Sequence, residues 1–210
     1  LEVGAEATGF FGVRITGLPI KAPSIDLVEC SAGGGSIVWT DVAGLLKVGP
    51  ESAGAVPGPA CYNTGGTEPT VTDAHVVLGR IAPEHFLGGE MSISKELAEE
   101  AVRRKVGEPL GMELHEAAHG ILDVVNANMV RILRVVSVTR GFDPRRYSLV
   151  AYGGAGPLHA GYLARELGIG RIIIPPTPGL FSAMGLVSGD IQVSRSMTRL
   201  TLATPDNLPY

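Results

Sequence analysis

Ser148-Leu-Val-Ala-Tyr-Gly-Gly-Ala-Gly-Pro-Leu-His-Ala-Gly161 is the stretch that decides the fold of this chain. Leu149 to Tyr152 is a short apolar run of the kind that makes a buried strand. It stops at Gly153-Gly154-Ala155-Gly156, and Leu158 to Leu167 then repeats apolar residues at helical spacing. Pro157 falls in the first turn of that helix, where a missing N–H costs nothing. A strand, a tight glycine turn and a helix N-terminus in succession bring backbone N–H groups close to a nucleotide. The same pattern also makes a plain strand-to-helix turn with no ligand, so the motif points toward nucleotide chemistry without fixing it.

Two well-defined nucleotide signatures are excluded. No Gly-x4-Gly-Lys-Ser/Thr occurs anywhere, so the chain is not a P-loop NTPase. Gly154-x-Gly156 is followed by His159 where the dinucleotide fingerprint needs Gly, and the next strand ends in Ile174-Pro175 with no acid for a ribose.

Outward from this motif, the C-terminal part alternates strand and helix. The pattern predicts strand 148–152, helix 157–168, strand Arg171 to Ile174, helix 179–187 and strand 190–200. Such alternation implies a parallel or mixed sheet covered by helices. Met112 to Thr139 is the longest helical pattern, with a broad valine-rich stripe that predicts extensive burial, ended by Gly141 and Pro144. Ser94 precedes a helical segment to Val106 that Gly107 is expected to stop. Residues 1–50 read as short strands: Phe11 to Thr16, Ile25 to Cys30, and a hairpin of Ser36–Thr40 and Leu45–Val48 around Asp41-Val-Ala-Gly44. Residues 49–70 read as loop, and Thr72 or Asp73 as the cap of a short helix, Ala74 to Leu78.

Composition bounds the function. The 210 residues carry 45% hydrophobic and 18% charged side chains, enough for a sizeable core. Net charge is −4, and the longest basic run is Arg103-Arg104-Lys105, so nucleic acid is not the expected partner. No apolar run approaches the ~18–20 residues that span a bilayer, and no membrane association is expected. Two cysteines, Cys30 and Cys61, make no disulfide framework and fit a reducing cytoplasm.

Several residues stand out as chemistry-bearing. Gly33-Gly34-Gly35-Ser36 lies between two predicted strands and offers backbone donors, or else a flexible hairpin loop. Gly49 to Tyr62 packs Glu51, Ser52 and Cys61 among constrained Gly and Pro residues, and such shaped loops often carry function. Cys61 is a nucleophile only where a base or dipole lowers its pKa, and otherwise a buried free thiol. Asp73 reads equally as a helix cap and as an acid/base or a holder of a metal-bound water. His75 lies two residues beyond it. No His/Cys/Asp set has a recognised zinc spacing, and His115 and His119, four apart on the long helix at a spacing that can bind metal but with no third ligand evident, read as surface or capping residues. On the same helix Glu116, His119, Asp123 and Asn126 form a polar stripe, explained by a solvated face or by buried hydrogen bonds.

Taken as an ordered set, these motifs resemble the hydantoinase A/5-oxoprolinase family. The matching segments include Ala32-Gly-Gly-Gly-Ser-Ile37, Val48-Gly-Pro-Glu-Ser-Ala-Gly54, Pro57-Gly-Pro-Ala-Cys-Tyr62, Gly66-Thr-Glu-Pro-Thr-Val-Thr-Asp-Ala74, Asn126-Ala-Asn-Met129, Arg140-Gly-Phe-Asp-Pro144, Tyr152 to Ala160 and Pro175 to Gly185. The resemblance runs from about residue 25 to about 195. It implies an α/β, actin-like ATPase (ribonuclease H-like) fold, with a mixed sheet flanked by helices. It further implies use of ATP and Mg²⁺ to activate a cyclic amide by phosphorylation, in concert with a hydantoinase B-type subunit or domain. Nucleotide subunits of acetone- or acetophenone-type carboxylases belong to the same resemblance, and a non-catalytic assembly domain is the alternative from another class. On this reading Gly153, Gly154, Ala155 and Gly156 contact adenosine. Gly33, Gly34, Gly35 and Ser36 line the same cleft or the substrate passage, and Asp73, Cys61 and His75 are the catalytic candidates. The family's Asp-x-Gly-Gly-Thr phosphate hairpins have no match here, and His75 stands where the family commonly has Asn. Residues 1–210 are therefore expected to form most of a second domain, with the hairpins upstream.

Overall fold

The computed structural model of the chain describes residues 13–15, 18–20 and 28–190. Its strands form three two-stranded ladders. β1 (Val13–Ile15) and β2 (Leu18–Ile20) are antiparallel, as are β3 (Ser36–Thr40) and β4 (Leu46–Ser52). β5 (Leu149–Val150) and β6 (Ile172–Ile173) are parallel. The helices are α1 (Val71–Val77), α2 (Lys95–Val102), α3 (Glu108–Leu110), α4 (Leu114–Val136), α5 (Gly156–Leu167) and α6 (Phe181–Ser188). The expected strand 190–200 and the first part of 25–30 lie outside the described residues.

The β3–β4 hairpin forms where alternation predicts it. Asp41 Oδ1 accepts the amides of Ala43 and Leu45 at 3.0 and 2.9 Å, an Asx turn that reverses the chain. β4 runs on to Ser52, into residues read from sequence as loop. Ser94 caps α2 as expected, its Oγ accepting the Leu97 amide at 3.2 Å. The helix does not stop at Gly107. It widens through a π turn, Arg103–Gly107, and continues as α3 to Gly111, whose φ of +65° ends it. Gly107 serves close packing instead: a Cβ there would sit 2.9 Å from the Met112 carbonyl oxygen.

α4 is the spine of the molecule. Its N-terminal half contributes Ala117, Ala118, Ile121, Leu122 and Val125 to a core shared with Val38, Val71, Val76, Val102 and Val106. Each Val, Leu or Ile among them stabilises the fold by ~1.5–3 kcal/mol when fully buried. Val130 and Leu133 in the C-terminal half meet Leu163 and Leu167 of α5 in a smaller cluster. This half is less buried than its valine content predicts, and Val135 and Val138 are exposed. The sequence period locates an apolar face but not how much protein lies over it.

Candidate functional site

Three backbone segments converge at the N-termini of α1 and α5. The first is the glycine loop before β3. The Gly34 carbonyl accepts the Thr72 amide at 2.8 Å, and the Gly35 carbonyl accepts the Ala53 amide at 2.8 Å. Ser36 Oγ accepts the Gly33 amide at 3.0 Å. The loop is thus pinned to α1 and to the end of β4, rather than free. A Cβ on Gly34 would lie 2.7 Å from Thr72 Oγ1 and 3.8 Å from the Ala155 Cβ. The missing Cβ at Gly34 therefore permits the close approach of Thr72, and the second segment, the turn after β5, lies next to it at ordinary packing distance.

That turn is open on its outer side. Gly153 holds φ at +86° and donates its amide to the Pro178 carbonyl at 2.8 Å. A Cβ at Gly153, Gly154 or Gly156 would meet nothing within 4 Å. Ala155 precedes α5 without a capping side chain, so no side chain closes off the first-turn amides. The sequence signal of a strand, a glycine turn and a Pro-containing first helical turn is reproduced, with β5 shorter than the run 148–152 predicts. An apolar hollow of about 270 Å³ lies at the other end of β5, lined by Leu133, Phe142, Tyr147, Leu149 and Ile169. It holds none of the candidate residues.

The third segment is α1, and here the structure refines the sequence reading. Thr70, not Thr72 or Asp73, is the N-cap, and the helix starts at Val71. Asp73 is the partner in a capping box. Its Oδ2 accepts the Thr70 amide at 2.8 Å, the Thr70 hydroxyl at 2.7 Å and the Ala60 amide at 3.3 Å. Its Oδ1 accepts the Cys61 amide at 2.8 Å. The carboxylate is fully buried and holds the shaped loop before it onto α1. Thr70-x-x-Asp73 was legible as capping-box spacing.

Cys61 is fully buried in the core beside Asp73. Burial, then the Asp73 charge and its hydrogen bond, push the thiol far above its ordinary value. A thiol so held is a poor nucleophile. His75 is equally buried. Its Nε2 lies 3.4 Å from the Nε2 of His159, with the rings edge to face at 71°. His159 Nδ1 lies 2.7 Å from Asn126 Oδ1. Burial, then His159 and Arg80, lower His75 to about 3. Burial and Arg80 lower His159 to about 4. Asn126 thus leaves the polar stripe of α4, whose Glu116, His119 and Asp123 face solvent with His115. Nothing in the sequence joins Asn126, His159 and His75, which are 33 and 84 residues apart.

Among the described residues no group of three or more His, Cys, Asp or Glu side chains is placed to hold a metal ion. The acceptors of Asp73 are already occupied, so the residues present do not fit a Mg²⁺ ligand set. No helix among the described residues is long and apolar enough to cross a membrane.

Comparison with known proteins follows the same residues. The caprolactamase subunit alpha of Pseudomonas jessenii is 44% identical over 85% of this chain. The crystal structure of that ATP-dependent caprolactamase superposes on 86% of the chain with a TM-score of 0.77. The nucleotide-free acetone carboxylase structure, from work on ATP-dependent acetone carboxylation, covers 84% at 30% identity with a TM-score of 0.78. The 5-oxoprolinase PfmaA of Pestalotiopsis fici is 41% identical over 82%. The chain spans 26%, 25% and 14% of the lengths of these relatives. Both solved structures share its fold, so the α/β, actin-like expectation holds. The family profile described as Hydantoinase/oxoprolinase matches residues 5–195, and the chain belongs to that family.

Proposed function

We propose that this chain supplies the adenosine side of the nucleotide cleft in an ATP-dependent enzyme that opens a cyclic amide. The observation that carries the reading is the position of Gly34, bonded to Thr72 and with only the space of an ordinary side-chain contact between it and Ala155, which sets the loop 33–36 beside the open turn 153–156. Gly153, Gly154, Ala155 and Gly156 would hold the nucleoside through backbone, with no side chain in the way. Gly33, Gly34, Gly35 and Ser36 form the adjoining wall. Bound ATP supplies a transferable phosphoryl group. The protein's contribution to such chemistry is almost entirely positioning.

In this reading Asp73 is a positioning residue. Four donors already engage its oxygens, so it shapes the loop 57–62 rather than moving a proton. Cys61 and His75 sit in the same sealed layer. The phosphate grip, the metal ligands and the substrate pocket belong to the remainder of a longer polypeptide or to a second subunit of the hydantoinase B type. The relatives named as subunits alpha, beta and gamma support a multi-subunit enzyme. The 210 residues alone are then expected to fold without turning over ATP.

Purified full-length protein should cleave ATP faster when hydantoin, 5-oxoproline or caprolactam is present. Stimulation by none of these, with ATP consumption that instead requires bicarbonate and a ketone, would assign it to the carboxylases. The likeness to acetone carboxylase supports that second reading, as the likeness to caprolactamase supports the first. Absence of ATP binding by the full-length protein would leave a non-catalytic assembly role.

A further inference from the structure

The polar chain running through the core beneath the glycine turn has a directional hydrogen-bond pattern. Asn126 on α4, His159 in the second position after Pro157 on α5 and His75 on α1 are each buried to 2% exposure or less. Their contacts are 2.7 Å from Asn126 Oδ1 to His159 Nδ1 and 3.4 Å between the two Nε2 atoms. A carboxamide oxygen brings no proton, so Nδ1 of His159 must carry one. A neutral imidazole carries one proton only, so Nε2 of His159 is bare. The Nε2–Nε2 contact then needs its proton from His75. That leaves Nδ1 of His75 as a bare lone pair, and among the described residues it is one of two buried side-chain polar atoms without a hydrogen-bond partner, with Thr40 Oγ1.

The location gives this order a consequence. His159 lies four residues past Ala155, and His75 three past Thr72, so the pair sits one helical turn below the place where Gly34 bonds Thr72 and lies beside Ala155. Helical side chains lean toward their own N-terminus, which aims the pair toward that junction. A second proton on His159 would go to Nε2 and set N–H against N–H across the 3.4 Å contact, a second proton on His75 would go to its unpartnered, buried Nδ1, and Arg80 repels a charge on either ring.

We propose that Asn126, His159 and His75 form a tautomer-locked chain of positioning residues, which holds the turn 153–156 against the loop 33–36 and thereby sets nucleotide affinity without touching the nucleotide. The affinity consequence rests on the reading of that turn as the nucleotide wall; the tautomer pattern does not.

The test uses full-length protein labelled with ¹⁵N-histidine, with resonances assigned from single variants. The expected spectrum at pH 7 shows His159 protonated at Nδ1 and His75 at Nε2, both neutral. The same protein is titrated with ATP by calorimetry. Asn126→Leu and His75→Leu are expected to weaken ATP binding about tenfold, the factor one buried hydrogen bond commands. His75→Asn keeps a donor toward His159 and is expected to retain most of the affinity. Should His75→Leu fail to fold, the unmodified spectrum and Asn126→Asp, which still accepts the His159 proton, decide the matter. Either ring titrating near 6.5, the opposite tautomers, or leucine variants with unaltered ATP affinity would overturn the proposal. An unmodified protein that binds no ATP would instead overturn the nucleotide reading, with the spectrum still judging the chain of protons.

Discussion

The Asp73 carboxylate accepts the amide of Cys61 at 2.8 Å, across twelve residues of sequence. With the Ala60 amide on the other oxygen, this contact makes the constrained loop before α1 and the helix a single unit. The shape of the loop then depends on a residue that first reads as a candidate for chemistry.

Asp73→Ala is expected to destabilise the protein by about 3 kcal/mol or more, because three buried amides and a hydroxyl lose their acceptor at once. Urea unfolding measures this directly. A variant of unchanged stability but abolished turnover in the full-length enzyme would return Asp73 to catalysis.

Cys61 should resist alkylation. Its thiol is fully buried and pushed upward by burial and by Asp73, whereas Cys30 is half-buried. Native protein treated with a thiol reagent at pH 8 should modify Cys30 while Cys61 waits for denaturant. Cys61→Ala should keep activity and cost ~1–2 kcal/mol of stability, the scale of a small cavity.

Stability should fall as pH drops below about 6.5. His75 and His159 are lowered to about 3 and about 4 when folded, so between these values and 6.5 the unfolded chain binds more protons than the native one. The loss is expected to approach ~1 kcal/mol per pH unit for each ring within that window, and to level off below the folded values. Thermal melts from pH 7 to 5, above the range of most carboxylates, provide the check. His75→Asn should flatten part of the slope.

Gly34→Ala and Gly154→Ala should separate packing from binding. A Cβ at Gly34 collides with Thr72 Oγ1 at 2.7 Å, in a junction also closed by Ala155, so this variant should lose ~1–3 kcal/mol and shift the loop. A Cβ at Gly154 meets nothing, so that variant should melt normally. It should nonetheless bind ATP more weakly in the full-length protein, because the methyl group enters the space proposed for the nucleoside. Equal ATP affinity in Gly154→Ala and unmodified protein would remove the turn from the site.

Local chemistry was readable wherever neighbours in sequence dictate it. The turn at Asp41, the Ser94 cap and the strand–glycine–helix order at 149–167 all follow from short-range pattern, whereas the long helix expected over 112–139 ends at Val136 and Gly141 closes a separate turn, Val138–Arg140. Gly107 misled, because its role is a close approach to Met112 and not a helix stop. The start of α1 misled by three residues, because Thr70 and Thr72 are both competent caps and only the packing of Cys61 and Ala60 against Asp73 selects Thr70.

The candidate site itself divides the same way. The sequence alone determined the glycine turn, the glycine loop and the family, since these are carried by residue types at fixed short spacing. Only the tertiary structure decided that Gly34 lies beside Ala155, that Asp73 is saturated by donors, and that Asn126 and His159 join His75 in the core. Apart from the Thr70 bonds to Asp73, these contacts span from twelve to over a hundred residues, and no periodicity encodes them. They arise because α4 packs its two halves into two clusters, bringing α1 and α5 to one place and forcing their buried polar atoms to find one another.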